Sequence, residues 1–308
     1  MAFLRSLKLA NKSSFGRRKA LFEGVLAGTL FGTAAILIRL LKDVDVLSIA
    51  FWRLVIAFLV LAAAIFFLRR PFGFGLLKRN LVQVLFLGVL LGSHFVLFVS
   101  AVMDTTIINA TVLVNTTPIW SLLVSVLILG VRPTRLAVSG VLVSFLGIAI
   151  IAYAEVASPT FSVGLMGNLM AVCAAVVEAF YLSYGRDIRR RVPILGLMLV
   201  IYTASALTVL SVNGVLSRSA PTLPDVSWTI VLVLLGLGVL PTAVAHTLYF
   251  SSLASLKSFE TATLALLEPI SATLLGLLLF AEIPDPLFVL GAVLVLGGIV
   301  SVAAGKLT

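Results

Sequence analysis

Long apolar runs, separated by short connections that carry charged residues or prolines, dominate the sequence. A helix needs roughly 20 mostly apolar residues to cross the hydrocarbon layer of a bilayer. The strands of a transmembrane β-barrel would instead alternate apolar and polar residues over about 10 positions. The pattern therefore predicts an all-α integral membrane protein. We expect ten transmembrane helices, at residues 22–41, 47–68, 81–103, 107–130, 135–154, 163–184, 193–216, 227–251, 259–281 and 286–304.

Composition and charge agree with this pattern. Of the 308 residues, 61% are hydrophobic and 11% are charged, whereas a soluble domain has about 45–50% apolar and about 25% charged residues. The net charge of +10 argues for neither DNA nor RNA as a partner, because most Lys and Arg residues flank the ends of the spans that the positive-inside rule assigns to the cytoplasm. We therefore expect a multi-pass protein of the plasma membrane, in contact with the lipid bilayer, with both termini cytoplasmic. Residues 1–21 are predicted to form a basic tail near the anionic leaflet.

The two halves of the chain are similar to each other. A single shift of 151 residues aligns four pairs of prolines or glycines, which suggests an internal duplication. We expect a first repeat at residues 22–154 and a second at 163–304. Because each repeat would cross the membrane five times, an odd number, the second must be inverted relative to the first, as in many secondary transporters. The aligned pairs are Pro118 with Pro269, Pro133 with Pro284, Gly140 with Gly291, and Gly147 with Gly298.

Short motifs in a fixed order extend this pattern: the Gly-rich start of span one, Phe51-Trp52-Arg53, Thr117-Pro118, Leu267-Glu268-Pro269 and Phe280-Ala281-Glu282. In these motifs the chain resembles the EamA-type, ten-helix members of the drug/metabolite transporter superfamily, over roughly residues 22–304. The resemblance implies export or exchange of small metabolites such as amino acids, nucleosides or amphiphilic compounds. We expect a secondary active or facilitative transporter, favoured as an exporter, that works by alternating access through a central cavity.

Ionisable groups within the spans are the first candidates for that cavity, because burying a charge there costs about 2.5–3.5 kcal/mol. Glu268 precedes Pro269, whose ring would kink the helix and free backbone carbonyls. This carboxylate could contact substrate or protons, or it could be a protonated group that bonds a neighbouring helix. Glu178 and Tyr181 lie three residues apart and should share a helix face. They could offer a carboxylate and an aromatic wall to a cationic or zwitterionic substrate.

Other residues leave alternatives open. A hydrogen bond between Glu178 and Arg53 would be purely structural. Arg53 could snorkel to water, pair with Glu178 or Glu268, or contact a substrate carboxylate. His94 and His246 occupy corresponding places in the repeats and could relay coupled protons or serve as structural donors. Asn115 could line the pore or bridge two helices.

Helix shape and packing are assigned to small residues and prolines. Pro118 and Pro269 are expected to kink spans four and nine at the gates. Gly24, Gly28 and Gly32 form a stripe that lets another helix approach closely.

The sequence contains no Walker loop and no Cys or His cluster that predicts a metal site, so we expect neither cofactor nor metal and no enzymatic activity. Two alternatives from other classes remain: a membrane-embedded enzyme that acts on lipid-like substrates, and a sensor or scaffold that transports nothing. A central cavity in the structure would favour the transporter over the scaffold.

Overall fold

The computed structural model describes residues 2–156, 164–216, 227–280 and 286–305. Within these ranges the chain is helical and contains no β-strand. Pro284 and the pair Ala281-Glu282 lie outside the described residues. The helices are α1 (Ala2–Phe31), α2 (Ala34–Arg39), α3 (Val46–Phe67), α4 (Phe74–Arg79), α5 (Leu81–Asp104), α6 (Ile107–Val114), α7 (Thr117–Leu123), α8 (Arg135–Val156), α9 (Leu165–Arg189), α10 (Ile194–Leu216), α11 (Trp228–Leu237), α12 (Thr247–Ser252), α13 (Ser258–Leu264), α14 (Leu267–Phe280) and α15 (Pro286–Ala304), with π-helical segments at Val124–Ile128 and Gly238–His246.

The helices that are long and apolar enough to cross a membrane lie within or close to the predicted spans. Eight helices of the described chain are long and apolar enough to span a bilayer, which confirms an all-α, multi-pass membrane protein. The count of ten is not confirmed, because span five has a shorter apolar stretch at Arg135–Ile151 and span nine is divided into two short helices. The eight are Gly16–Arg39, Val46–Phe67, Leu81–Asp104, Asn109–Ile128, Leu165–Arg189, Ile194–Val215, Trp228–Ser252 and Pro286–Ala304.

Spans four and nine break at corresponding places. Helix α6 ends at Val114 and α7 begins at Thr117, while α13 ends at Leu264 and α14 begins at Leu267. Pro118 and Pro269 therefore lie in the first turn of a helix rather than at a kink in its middle. The first N–H groups of a helix have no intrahelical acceptor, so a proline there loses no hydrogen bond. At both breaks the backbone tightens locally, since the N–H groups of Thr116 and Leu266 bond three residues back, to the carbonyls of Leu113 and Thr263.

The glycine stripe of α1 lies against span nine. A Cβ atom on Gly28 would overlap the backbone of Leu264, and one on Gly32 would lie 2.7 Å from the amide nitrogen of Ala272 and 3.0 Å from the carbonyl of Glu268. Gly24 similarly contacts the side chain of Leu264. Helix α1 therefore approaches the break in span nine at backbone distance.

Helices α8 and α15 also pack through glycines, in reversed order. A Cβ on Gly140 would meet the carbonyl of Gly298 at 2.8 Å, and a Cβ on Gly147 would meet the carbonyl of Gly291 at 2.6 Å. The residue further along α8 thus contacts the residue that comes earlier in α15. The two helices run antiparallel in contact.

The basic N-terminal segment continues directly into span one. Helix α1 runs through residue 22, where a tail was expected to end. The guanidinium of Arg17 donates to Glu260 of α13 at 3.0 Å and to the carbonyls of Ala303 and Gly305 at 3.0 and 3.1 Å. Because these carbonyls close the end of α15, Arg17 ties three spans together at one end of the bundle.

Candidate functional site

A small cavity lies at the centre of the bundle, where the two helix breaks meet α3, α5, α9 and the π-helical segment Gly238–His246. Both halves of the chain contribute to its wall. Six of the seven residues that the sequence assigned to a substrate cavity line it: Arg53, His94, Asn115, Glu178, His246 and Glu268. The remaining lining residues are Phe31, Ala34, Phe95, Phe98, Val114, Thr117 and Ala265.

Glu268 is bound across the two halves of the chain. It stands in the first turn of α14, directly after the break in span nine, and it is buried. Asn115, in the break of span four, donates from Nδ2 to Glu268 Oε2 at 3.2 Å and to the carbonyl of Thr111 at 2.7 Å. The break in span four thus places Asn115 beside Glu268, which follows the break in span nine, in the middle of an apolar bundle.

Glu178 lies near the middle of α9 and contacts α7, the helix that follows the break in span four. The hydroxyl of Thr117, the first residue of α7, lies 3.2 Å from Glu178 Oε2 and 2.7 Å from the carbonyl of Val114, and its single proton serves one of these acceptors at a time. The same carboxylate oxygen lies 3.9 Å from Nδ1 of His94. This Nδ1 is 3.1 Å from the carbonyl of Ala174. Since a carbonyl can only accept, the proton of a neutral His94 ring resides on Nδ1.

Arg53 is 1% exposed, which excludes snorkelling to water. Its Nε donates to the hydroxyl of Thr242 at 3.0 Å, and its guanidinium lies over the ring of Phe95, 4.1 Å from the centroid. It interacts electrostatically with Glu268, whereas Glu178 has Thr117 as its hydrogen-bond partner. Nη1 of Arg53 is buried and has no partner among the described residues.

The π-helical segment Gly238–His246 explains how Arg53 is held. Pro241 lies inside it, and its missing N–H is compatible with the widened turn. Thr242 donates to the carbonyl of Leu237 at 2.6 Å, which leaves its oxygen to accept from Arg53. Tyr202 of α10 donates to the carbonyl of Thr242 at 2.7 Å. The arginine is therefore fixed by a second layer of bonds.

His246 closes the same segment and lies among aromatic rings. Its ring centroid is 4.8 Å from that of Phe95, 4.7 Å from that of Phe31 and 6.1 Å from that of His94. Nδ1 of His246 is buried and has no partner among the described residues. Arg53 and His246 therefore contact the same phenyl ring, and each has a buried nitrogen without a partner among the described residues.

Tyr181 does not line the cavity. Its ring is fully buried against Phe250, with centroids 4.8 Å apart, and its hydroxyl contacts the sulfur of Met198 at 3.7 Å. Three residues advance a helix by about 300°, so side chains three apart differ by about 60° in direction. That difference turns Glu178 toward the cavity and Tyr181 toward α10.

Several side chains at or behind the cavity wall have weak sequence signals. Thr117 stands out only as part of a Thr-Pro motif, and Thr242 follows the proline inside span eight. Phe31, Phe95 and Phe98 are three of 20 phenylalanines in the chain, so nothing local separates them from lipid-facing ones. Chemically, the wall combines two carboxylates from the second half of the chain with a guanidinium from the first, beside an aromatic surface.

Comparisons with known proteins identify the family to which this architecture belongs. The sequence profile of the EamA-like transporter family matches residues 18–153 and again residues 165–304. A solved structure, described only as a crystal structure of a protein, superimposes with a TM-score of 0.73 at 21% sequence identity, over 92% of this chain and 95% of that chain. No curated protein sequence matches the chain. Because the family profile covers most of the chain as two consecutive copies, the protein belongs to the EamA-like transporter family, within the drug/metabolite transporter superfamily.

Proposed function

We propose that the protein is a secondary carrier that moves small zwitterionic metabolites, such as amino acids, out of the cell by alternating access. The supporting observation is the central cavity between the two family repeats, with buried charged groups contributed by both. Ionisable residues inside a membrane bundle are costly and face partners or cavities that carry substrate or ions. No motif for ATP binding accompanies them in the sequence, so the solute or proton gradient supplies the energy.

The polar groups of the wall suit a substrate with one positive and one negative end. Arg53 and His246, each with an unpaired buried nitrogen, would bind the carboxylate, since an arginine donates strongly to such groups. Glu178 and Glu268 would bind the ammonium group. Phe95 contacts both Arg53 and His246 and provides an apolar surface for the remainder of the molecule.

Alternating access in this proposal uses two repeats of opposite orientation. Three observations support inversion: the antiparallel contact of α8 with α15, the matching breaks of spans four and nine, and the odd number of predicted spans in each repeat. The reciprocal glycine contacts are those of a two-fold axis, in which each helix offers the same patch to the other. We propose ten crossings, with both termini on the cytoplasmic side of the plasma membrane.

The test is transport by purified protein in liposomes without ATP. Amino acids, nucleosides and cationic drugs are offered at two pH values, the latter to detect coupled protons. Glu268→Gln is expected to reduce the flux of the best substrate about 10- to 100-fold, the equivalent of a hydrogen bond to a charged group. Glu23→Gln is the matched control, because Glu23 lies outside the cavity wall, beside Lys19.

Two results would contradict the proposal. The first is the absence of protein-dependent flux for every compound class offered. The second is a Glu268→Gln variant that folds, as judged by size-exclusion chromatography, and transports as fast as Glu23→Gln.

A further inference from the structure

A second pocket lies away from the central cavity, at the end of α9 and the start of α13. Three cationic side chains line it: Arg186 and Arg190 from the last turn of α9 and the residue after it, and Lys257 just before α13. Asp187 contributes a single carboxylate. The pocket therefore has an excess of positive charge at the end of two membrane spans.

These cations have no acidic partner within 4.0 Å in the described part of the chain. Asp187 pairs with the exposed Arg191 one turn further on. Arg186 and Lys257 donate only to backbone carbonyls, those of Leu256 at 2.9 Å and Arg132 at 3.2 Å. Arg186 and Arg190 repel each other electrostatically, although Glu260 and Asp187, both beyond ion-pair distance, also attract Arg186. A bound anion would relieve this repulsion.

The rest of the pocket suits a phosphate group at a membrane interface. Ser258 Oγ lies 2.8 Å from Ser125 Oγ and 3.2 Å from Ser183 Oγ, so the pocket floor carries three hydroxyls. Leu129, which is exposed where lipid would surround the bundle, forms part of the rim. Basic pockets between transmembrane helices bind the head groups of anionic lipids, and arginine pairs bind phosphate through several N–H groups at once.

We propose that this pocket is a binding site for a phosphate group, independent of the transport activity. The group has two possible sources, the head group of an anionic phospholipid and a free phosphate anion. Both would be held by Arg186, Arg190 and Lys257, with the serine hydroxyls as additional donors.

The experiment measures the thermal unfolding midpoint of the full-length purified protein in a neutral detergent. The probes are dioctanoyl phosphatidylglycerol, dioctanoyl phosphatidylcholine and inorganic phosphate. We expect the anionic lipid or phosphate to raise the midpoint and the zwitterionic phosphatidylcholine to leave it unchanged. The double variant R186Q/K257Q should need about 25-fold more ligand for half of the maximal shift, since each cation at a membrane surface contributes about fivefold.

The matched control is R70Q/K78Q, which removes the same charge from exposed positions outside the pocket. Should the pocket double variant fail to fold, R190Q tests the same prediction from an exposed position, with about fivefold weaker binding expected. A shift with phosphatidylglycerol alone identifies the lipid head group, and a shift with inorganic phosphate alone identifies the free anion. No shift with either anion, or equal weakening in the pocket and control variants, would overturn the proposal.

Discussion

Replacing Gly298 by alanine probes the antiparallel contact between α8 and α15. An added Cβ would lie 2.5 Å from the carbonyl oxygen of Gly140 and 2.7 Å from the amide nitrogen of Ser144, and it would overlap the hydroxyl of Ser144. Favourable contacts between nonbonded carbon atoms occur at about 3.5–4.0 Å. Because two of the three atoms belong to the backbone, a rotamer change cannot relieve the overlap, and the helices must separate by about 1 Å.

The size of the effect follows from this displacement. Overpacking a tight interface costs about 1–3 kcal/mol. Gly297, the preceding residue, provides a matched control, since a Cβ there has no neighbour within 4 Å. At that site alanine only improves helix propensity, by about 0.8–1.0 kcal/mol. Because alanine gains the same helix propensity at both sites of α15, the two variants should differ in free energy of unfolding by the overpacking cost, about 1–3 kcal/mol.

The assay is thermal unfolding of both variants in the same detergent, with the retained folded fraction measured after heating. Gly298→Ala should unfold at a lower temperature than the unmodified protein, and Gly297→Ala at the same or a higher temperature. Equal midpoints for the two variants would refute the reasoning, because they would show that α8 does not contact α15 at backbone distance. The symmetry-related Gly147→Ala should behave like Gly298→Ala.

Two further perturbations address the charged groups. Arg17→Met should destabilise the protein by about 1.5–3 kcal/mol, because Glu260 loses its charged donor. Arg18→Met, at an exposed position, is the control and should leave the stability unchanged. Equal effects of the two variants in thermal unfolding would contradict a stabilising role for the Arg17–Glu260 pair. Thr242→Val removes the hydroxyl acceptor of the buried cavity guanidinium and should cost about 1.5–3 kcal/mol. Thr203→Val, on an exposed face, is its control, and urea or thermal unfolding that does not distinguish the two would show that the bond contributes nothing.

Much of the bundle could be predicted from the sequence because crossing a bilayer imposes a length. Span two was expected at 47–68 and α3 runs from Val46 to Phe67, while span seven was expected at 193–216 and α10 runs from Ile194 to Leu216. Charged and proline-containing connections end these helices. The charged stretch Arg17-Arg18-Lys19 does not end a helix in this way, because α1 runs through it from Ala2 to Phe31.

The sequence indicates where spans four and nine are irregular, but not that each of them divides into two helices. Pro118 and Pro269 marked the right regions, but a proline is equally compatible with a kink in the middle of a helix and with the first turn of a new one. Tertiary packing decides between them, since Gly28 of α1 and Gly32, which directly follows α1, come close to the backbone at the second break. The π-helical turn that contains Pro241 has no local signal for its widened hydrogen bonding.

The amino-acid pattern was enough to predict the class of protein, the approximate spans, and the short set of ionisable residues that a membrane interior tolerates only at a functional or paired position. Which of these residues share one cavity depends on how the helices pack. This packing brings Asn115 to Glu268 and Thr117 to Glu178, and it turns Tyr181 away. The physical reason is that lipid and protein interior are equally apolar, so hydrophobicity cannot tell the inward face of a membrane helix from its outward face, and the packing of neighbouring helices must set that direction.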